Sequence, residues 1–320
     1  MWYNIEMEVN LNCDLGEKSE HYSGINDQAL IEIINTANIA CGYHAGSESV
    51  IKTTIKIAKE NNVSIGAHPG FADKENFGRK RIELEKNELK KLIRDQLEII
   101  SGIADAHQWP ITHVKPHGAL NNMACENFDV GLAIGEGIYE FNKDLIYLVL
   151  PLSEMEKAAQ QLNLKYACEI FADRNYQDNG QLISRSNPNA MVENFKTASE
   201  NILEMLHTSS IKCLSGKKIK CQIDSICIHG DGLKAVSIAK ELKKEFGNNK
   251  KINKDDENYL FHAGTKIVDK KLYAVGGRVL NFVSLSENFF TSRKNIHKNI
   301  NKLNWPYGFY RKDIGYKVID

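Results

Sequence analysis

Most of the chemistry this chain could perform is concentrated in short polar clusters: Asn12 and Asp14, His44, His68, Lys115 and His117, Asp173 and Arg174, and His229 and Asp231. A histidine near neutral pH can give or take a proton, and an aspartate beside it can fix its tautomer or accept the proton itself. Arginine offers a bidentate fork to a carboxylate or phosphate, and lysine a point charge. A single histidine after a strand is more often a hydrogen-bonded loop residue than a catalyst. Repetition at equivalent positions separates these residues from that reading. One Asp and several His from different segments are also ligand types for Zn²⁺. No H-x-x-x-H or H-E-x-x-H pair falls on a helical segment, so a divalent metal held by Asp14, His44, His68 and His117 rests on residue type alone.

What must position these groups is a repeating scaffold. Met7–Cys13, Ala37–Cys41, Ser64–His68, His113–Lys115, Leu145–Leu150, Tyr166–Ala172 and Ser225–Ile228 read as short buried strands. Between them, apolar residues recur at spacings of three and four in Ser47–Glu60, Glu85–Ala106, Met191–His207 and Gly232–Phe246, which predicts amphipathic helices. Alternation of this kind implies parallel strands joined by crossover helices. Seven strands suit an α/β fold with a closed or nearly closed parallel β/α barrel better than an open sheet, and periodicity leaves closure open. Nearly every strand ends in one of the polar clusters, and in such barrels the C-terminal strand ends converge on the face that carries the active site. The neighbouring Gly42, Gly46, Gly66, Gly70, Gly118 and Gly230 are expected to supply turns with positive φ.

Composition narrows the function classes. Forty-one basic residues balance 41 acidic ones, which gives no sign of a nucleic-acid or anionic-membrane partner. No apolar stretch reaches the length of a spanning helix, and Met1–Asn10 mixes charge with apolar residues unlike a signal peptide, so a cytoplasmic protein is expected. Seven cysteines without a C-x-x-C pair argue against a disulfide framework or a cysteine zinc site, and most are expected to be small buried hydrophobes. There is no G-x-x-x-x-G-K-[ST] loop and no G-x-G-x-x-G after a strand, hence no recognisable phosphate cradle.

The blocks NLNCDLGE (10–17), NIACGYHAG (38–46), IGAHPGFADKENFGRK (65–80), HVKPHGAL (113–120), EIFADRNYQDNGQLISR (169–185) and IHGDGLKAV (228–236) carry a resemblance over residues 1–246. In order and spacing they are similar to the signature blocks of the LamB/YcsF family, the A subunits of bacterial ATP-dependent 5-oxoprolinase. The resemblance implies a distorted parallel β/α barrel of the glycoside hydrolase and deacetylase kind, partner subunits B and C, and opening of 5-oxo-L-proline to L-glutamate with ATP as co-substrate. ATP is then expected at a subunit junction or mainly on a partner. Asp14, His44, His68 and His117 would form the catalytic centre, and Asn12, Arg79, Lys115, Asp173, Arg174 and Arg185 would bind substrate. A structural ion pair at the barrel rim is the alternative for Lys115 and Arg174. The sequence departs from the family at Ser47, where an Asp commonly follows HAG, and at Asn121, where a Tyr commonly follows HGAL. A metal-dependent deacetylase or amidase on a related barrel, or a non-catalytic scaffold subunit, are the competing readings.

Residues 247–257 are polar and charge-dense and read as a linker. Beyond it, YLFHAGTKI (259–267), GGRVL (276–280) and FYRKDIGY (309–316) resemble the C-terminal part of phosphoribosylamine-glycine ligase. Strands over 259–263, 272–275 and 278–285 are expected there, with Gly276 and Gly277 turning the latter two into a hairpin, followed by a helix over 287–300. The ATP-grasp part of such a ligase is absent, so no ligase activity is expected from this segment, and a gene fusion, or a fragment joined by a frame or assembly event, explains its presence at least as well as an evolved function.

Overall fold

The computed structural model describes residues 10–192, 194–232, 234–246, 258–262, 265–268, 271–274, 280–284, 286 and 288–300. The chain separates into two compact units, one within residues 8–252 and the other drawing on 253–320. The proposed linker at 247–257 lies outside the described residues.

In the first unit the strand and helix patterns alternate as their periodicities require. β1 (Asn10–Leu15), α1 (Asp27–Ile31), β2 (Thr36–Ala40), α2 (Glu48–Glu60), β3 (Ser64–His68), α3 (Lys86–Ala106) and β4 (Ile111–Val114) come first. They are followed by α4 (Gly118–Glu126), α5 (Phe128–Asn142), β5 (Ile146–Val149), α6 (Glu154–Gln161), β6 (Tyr166–Phe171) and α7 (Phe195–Thr208). A small antiparallel pair, β7 (Ser210–Lys212) and β8 (Lys218–Lys220), precedes β9 (Ser225–His229) and α8 (Ala235–Phe246). The seven long strands form a closed parallel barrel in the order β1-β2-β3-β4-β5-β6-β9. Closure runs through β1, whose Cys13 pairs with Ala37 of β2 on one side and with Ile228 of β9 on the other.

Local chemistry explains the element ends. Ser47 caps α2 by accepting a hydrogen bond from Val50 N, and the helix buries Ile51, Thr54, Ile55 and Ala58 at helical spacing. At the start of α3 the Glu88 carboxylate accepts a hydrogen bond from Glu85 N at 2.9 Å. Its buried face is Leu89, Ile93, Gln96, Leu97, Ile100 and Ala104, with one polar member whose use becomes clear at the site. The helix expected from Met191 begins at Phe195 because Asn194 takes the N-cap, accepting from Lys196 N and Thr197 N. Its C-cap Ser209 turns left-handed at φ 44°. The cysteines are all free and buried except the half-buried Cys221, and burial pushes the Cys41 thiol up to about 12, which removes its thiolate at neutral pH. Among the described residues no helix is long and apolar enough to cross a membrane.

In the second unit β10 (Asn258–His262) pairs antiparallel with β13 (Leu280–Ser284), and β11 (Thr265–Val268) with β12 (Lys271–Ala274), ahead of α9 (Phe289–Ile300). The expected hairpin between the latter two strands is therefore incorrect. The partner of β12 is β11, a strand whose Thr-Lys-Ile-Val pattern is too short to stand out in the sequence, and β13 reaches back to β10. The turn at Gly276 and Gly277 lies outside the described residues.

Candidate active site

The C-terminal ends of β1 to β4 and the turns that follow bring four ionisable groups together. Glu17, His44, His68 and His117 are all buried, and one ligand-type atom from each lies within 4.8 Å of the others. Glu17 Oε1 stands 3.1 Å from His44 Nε2, 3.0 Å from His117 Nδ1 and 3.6 Å from His68 Nε2. The rings of His44 and His117 stack with centroids 3.8 Å apart, and His68 meets both edge-on. Burial, reinforced by His117, pushes His44 down to about 4, and burial holds His68 at about 3 against the pull of Asp14. Both rings are neutral near pH 7, so His44 donates a neutral hydrogen bond to Glu17. Burial alone would raise the Glu17 carboxyl, yet its interactions with His117, His44 and His68 hold it well below the usual carboxylate range.

Asp14 occupies the other half of the mouth. Its Oδ1 accepts from Lys115 Nζ at 2.8 Å and from Asn38 Nδ2 at 2.8 Å, while Oδ2 is 3.5 Å from His68 Nε2. Lys115 Nζ also lies 3.3 Å from Glu169 Oε2 and 2.8 Å from Cys227 Sγ. Burial would lower the Lys115 pKa, but Asp14, Cys227 and Glu169 raise it well above the usual lysine value, so the ammonium is charged. Asp14 remains ionised against its burial because His68 and Lys115 favour the carboxylate. Asn12 lies deeper and donates to Ser225 Oγ at 2.7 Å and to Glu169 Oε2 at 3.3 Å.

The remaining expected site residues are distributed around this centre. Asp173 pairs with His229 Nδ1 at 2.9 and 3.0 Å, and Asp14, Cys227 and His229 form a second group within 4.8 Å. Arg79 is at the rim, 39% exposed, with its guanidinium 2.7 Å from Asp231. Arg174 is buried and donates to Ile183 O, whereas Arg185 is exposed. Glu17, Glu169, Asn38 and His113 are site residues that sequence reasoning missed. All four stand inside the quoted blocks, but a polar residue within a motif carries no mark of which way it faces.

Glycines shape the pocket walls in two ways. Positive φ occurs at Gly42, Gly46 and Gly118, as expected, but not at Gly66, Gly70 or Gly230. Those three supply space instead. A Cβ on Gly70 would stand 2.6 Å from His44 Nδ1, and the buried Gln96 of α3 fixes this glycine by accepting from Gly70 N at 3.0 Å and donating to Gly70 O at 2.9 Å. The polar residue on the buried face of α3 thus holds the wall behind His44.

The LamB/YcsF family model matches residues 9–256, nearly all of the barrel unit. The chain belongs to this family. A second model, phosphoribosylglycinamide synthetase, C domain, matches residues 239–317. Among similar proteins, one from Staphylococcus haemolyticus, named as the A subunit of 5-oxoprolinase, is 41% identical over 239 residues, covering 75% of this chain and 96% of that relative. One of the same name from Clostridium beijerinckii is 43% identical over 236 residues, covering 74% and 92%. Among solved structures, the lactam utilization protein from Thermus thermophilus superposes with a TM-score of 0.71 at 31% identity, covering 77% of this chain and all of that one. Membership of the family accounts for the motif blocks, and the barrel mouth is where those blocks meet.

Proposed function

We propose that the chain is the A subunit of a 5-oxoprolinase that opens 5-oxo-L-proline to L-glutamate with hydrolysis of ATP to ADP and phosphate, in a complex with subunits B and C. The observation that carries the reading is the buried meeting of Glu17, His44, His68 and His117 beside the Asp14–Lys115 pair, at the mouth of a barrel whose relatives bear that name. An unstrained five-membered lactam is resonance-stabilised and recloses readily, so hydrolysis needs activation; phosphorylation of the amide oxygen by ATP would supply it. Water then adds to the activated carbon, the C–N bond breaks as the departing nitrogen takes a proton, and a second water hydrolyses the resulting acyl phosphate to the side-chain carboxylate of L-glutamate and free phosphate. Two neutral histidines and two ionised carboxylates in one buried site are suited to moving those protons. Asp14, His44, His68 and His117 serve this chemistry, and Glu17 joins them.

Substrate and phosphate contacts fall to the mouth. Arg79, exposed at the rim, suits a substrate carboxylate or a transferring phosphate, and Arg185 is the second accessible guanidinium. Asp173 and Arg174 line the same end of β6, while Asn12 and Lys115 act from below by holding Glu169 and Asp14. The chain carries no recognisable phosphate loop, so the nucleotide binds mainly on a partner or at a junction with one. The C-terminal segment 258–320 contributes no ligase activity and is a fused passenger.

The test is co-expression with candidate B and C subunits and an assay of glutamate released from 5-oxoproline with and without ATP. Release that depends on ATP and is lost in Asp14→Asn and His117→Gln supports the reading. Undiminished turnover in both variants would reduce the chain to a scaffold. A chain ending at Phe246 is expected to keep full turnover in the same complex.

A further inference from the structure

Two backbone carbonyls fix the tautomers of His68 and His117. His68 Nδ1 lies 2.7 Å from Lys115 O, and His117 Nε2 lies 2.8 Å from Phe77 O. A carbonyl oxygen only accepts, so each of those nitrogens carries its hydrogen. His68 Nε2 and His117 Nδ1 are then the ring nitrogens left to offer an electron pair, and they face each other at 3.0 Å. Glu17 Oε1 completes a triangle, 3.0 Å from His117 Nδ1 and 3.6 Å from His68 Nε2. Three electron-pair donors converging out of water, one of them anionic, require a positive species between them.

The size of the triangle indicates which species fits. Its corners stand ~1.9 Å from its centre, so an ion at the ~2.0–2.1 Å typical of Zn–N and Zn–O bonds sits less than ~1 Å out of the plane, with a fourth position open. We propose that Glu17, His68 and His117 form a three-ligand site for a divalent transition ion of the zinc class. His44 is not a ligand. Its ring is parallel to that of His117, at 5° and 3.8 Å between centroids, and an imidazole nitrogen binds a metal in its own ring plane, so one ion cannot serve both. His44 instead donates to Glu17 Oε1 and orients it, in the manner of the outer-shell partners that hold metal-binding carboxylates. Asp14 belongs to the ion's surroundings rather than to its ligands: Lys115 and Asn38 engage its Oδ1, and although its Oδ2 is 3.5 Å from His68 Nε2, it is not in the group of Glu17, His44, His68 and His117 whose ligand-type atoms all lie within 4.8 Å of one another. The donor set therefore differs from the Asp14, His44, His68 and His117 set that residue type alone suggested.

The inference is independent of the proposed lactam substrate, and its test reads binding rather than turnover. The full-length chain, stripped with chelator and dialysed, is titrated with Zn²⁺ by calorimetry and with Co²⁺ by visible absorption. One equivalent should bind, with the intense d–d bands of a low-coordinate cobalt site. Glu17→Gln and His68→Ala should abolish that equivalent, and His44→Gln should retain it with roughly tenfold or more weakening, as outer-shell changes do. Circular dichroism of each stripped variant establishes that it is folded. Absence of a saturable equivalent in the wild-type chain would overturn the proposal and assign the positive species to a proton shared by His117, His68 and Glu17. Equal affinity in folded Glu17→Gln, or complete loss in folded His44→Gln, would overturn the ligand assignment.

Discussion

Replacing Lys115 by Met should destabilise the barrel severely while changing side-chain volume little. The ammonium is 2.8 Å from Asp14 Oδ1 and 3.3 Å from Glu169 Oε2, with both carboxylates buried. At 2.8 Å and an effective dielectric near 20, the attraction to Asp14 alone is about 6 kcal/mol before desolvation is subtracted. Removing one partner of such a buried set leaves uncompensated charge, which costs roughly 3–5 kcal/mol. For a unit of this size that loss lowers the melting temperature by roughly 10 °C. Thermal unfolding at pH 7 followed by circular dichroism measures it. The double variant Lys115→Met/Asp14→Asn should recover part of the loss, because the orphaned carboxylate is gone, and the departure from additivity reports the coupling. A single variant that melts within about 2 °C of wild type would mean that Lys115 is not a buried cation. An additive double variant would mean that the pair is not coupled.

Three further outcomes follow from the same geometry. Gly70→Ala drives a methyl into His44, whose Nδ1 would be 2.6 Å away, so about 1–3 kcal/mol of stability should be lost along with turnover in the complex; a variant with unchanged melting and unchanged glutamate release would contradict the close packing. His44 and His68 fold with pKa values lowered to about 4 and about 3, from near 6.5 unfolded, so their contribution to stability is complete above pH 6.5 and is lost as pH falls toward 4. Glu17 and Asp14, also depressed, act in the same direction, and chemical denaturation at pH 7 and pH 4.5 should differ by several kcal/mol, with equal stabilities refuting the neutral buried rings. The Arg79–Asp231 pair is partly exposed, so Asp231→Ala should change stability by less than about 1 kcal/mol, whereas Arg79→Ala should raise KM for 5-oxoproline while leaving the melting temperature nearly unchanged.

Much of the barrel was legible because its signals are local. Buried strands such as Ser64–His68 are short apolar runs, and α2 and α3 show their buried faces as a spacing of three and four. The sequence also indicated that the strand ends share one face, since a parallel barrel leaves their polar tips no other place. Which polar side chains meet was not legible. Glu17 lies three residues beyond Asp14, past Gly16 at φ +69°, and that reversal turns it toward the histidines while Asp14 turns toward Lys115. Only the backbone geometry sorts the two acids. The same limit applies in the second unit, where β-propensity indicated strands but not that β13 passes over β12 to pair with β10, because register between distant strands leaves no local mark.

The inner face of the barrel shows why so polar a site can be rigid. Asn38 spends both amide hydrogens, one on Asn12 Oδ1 and one on Asp14 Oδ1, each at 2.8 Å, and its own Oδ1 accepts from His113 Nε2 at 2.8 Å. Burial holds His113 down at about 3, so this ring is a neutral donor that fixes which way the Asn38 amide faces. Asn12 in turn spends its two hydrogens on Ser225 and Glu169. Both amide hydrogens of Asn12 and of Asn38 are therefore taken by an acceptor, which fixes how each side chain faces. A half-satisfied network would cost more than an apolar core, whereas a fully paired one rigidifies what it touches. The donors end on Asp14 and Glu169, the two carboxylates that flank Lys115. Asp14 is thus aimed by Asn38 on the neighbouring strand β2, and Asn38 in turn by His113 on β4, before any ligand binds, a preorganisation on which the proposed lactam chemistry would draw.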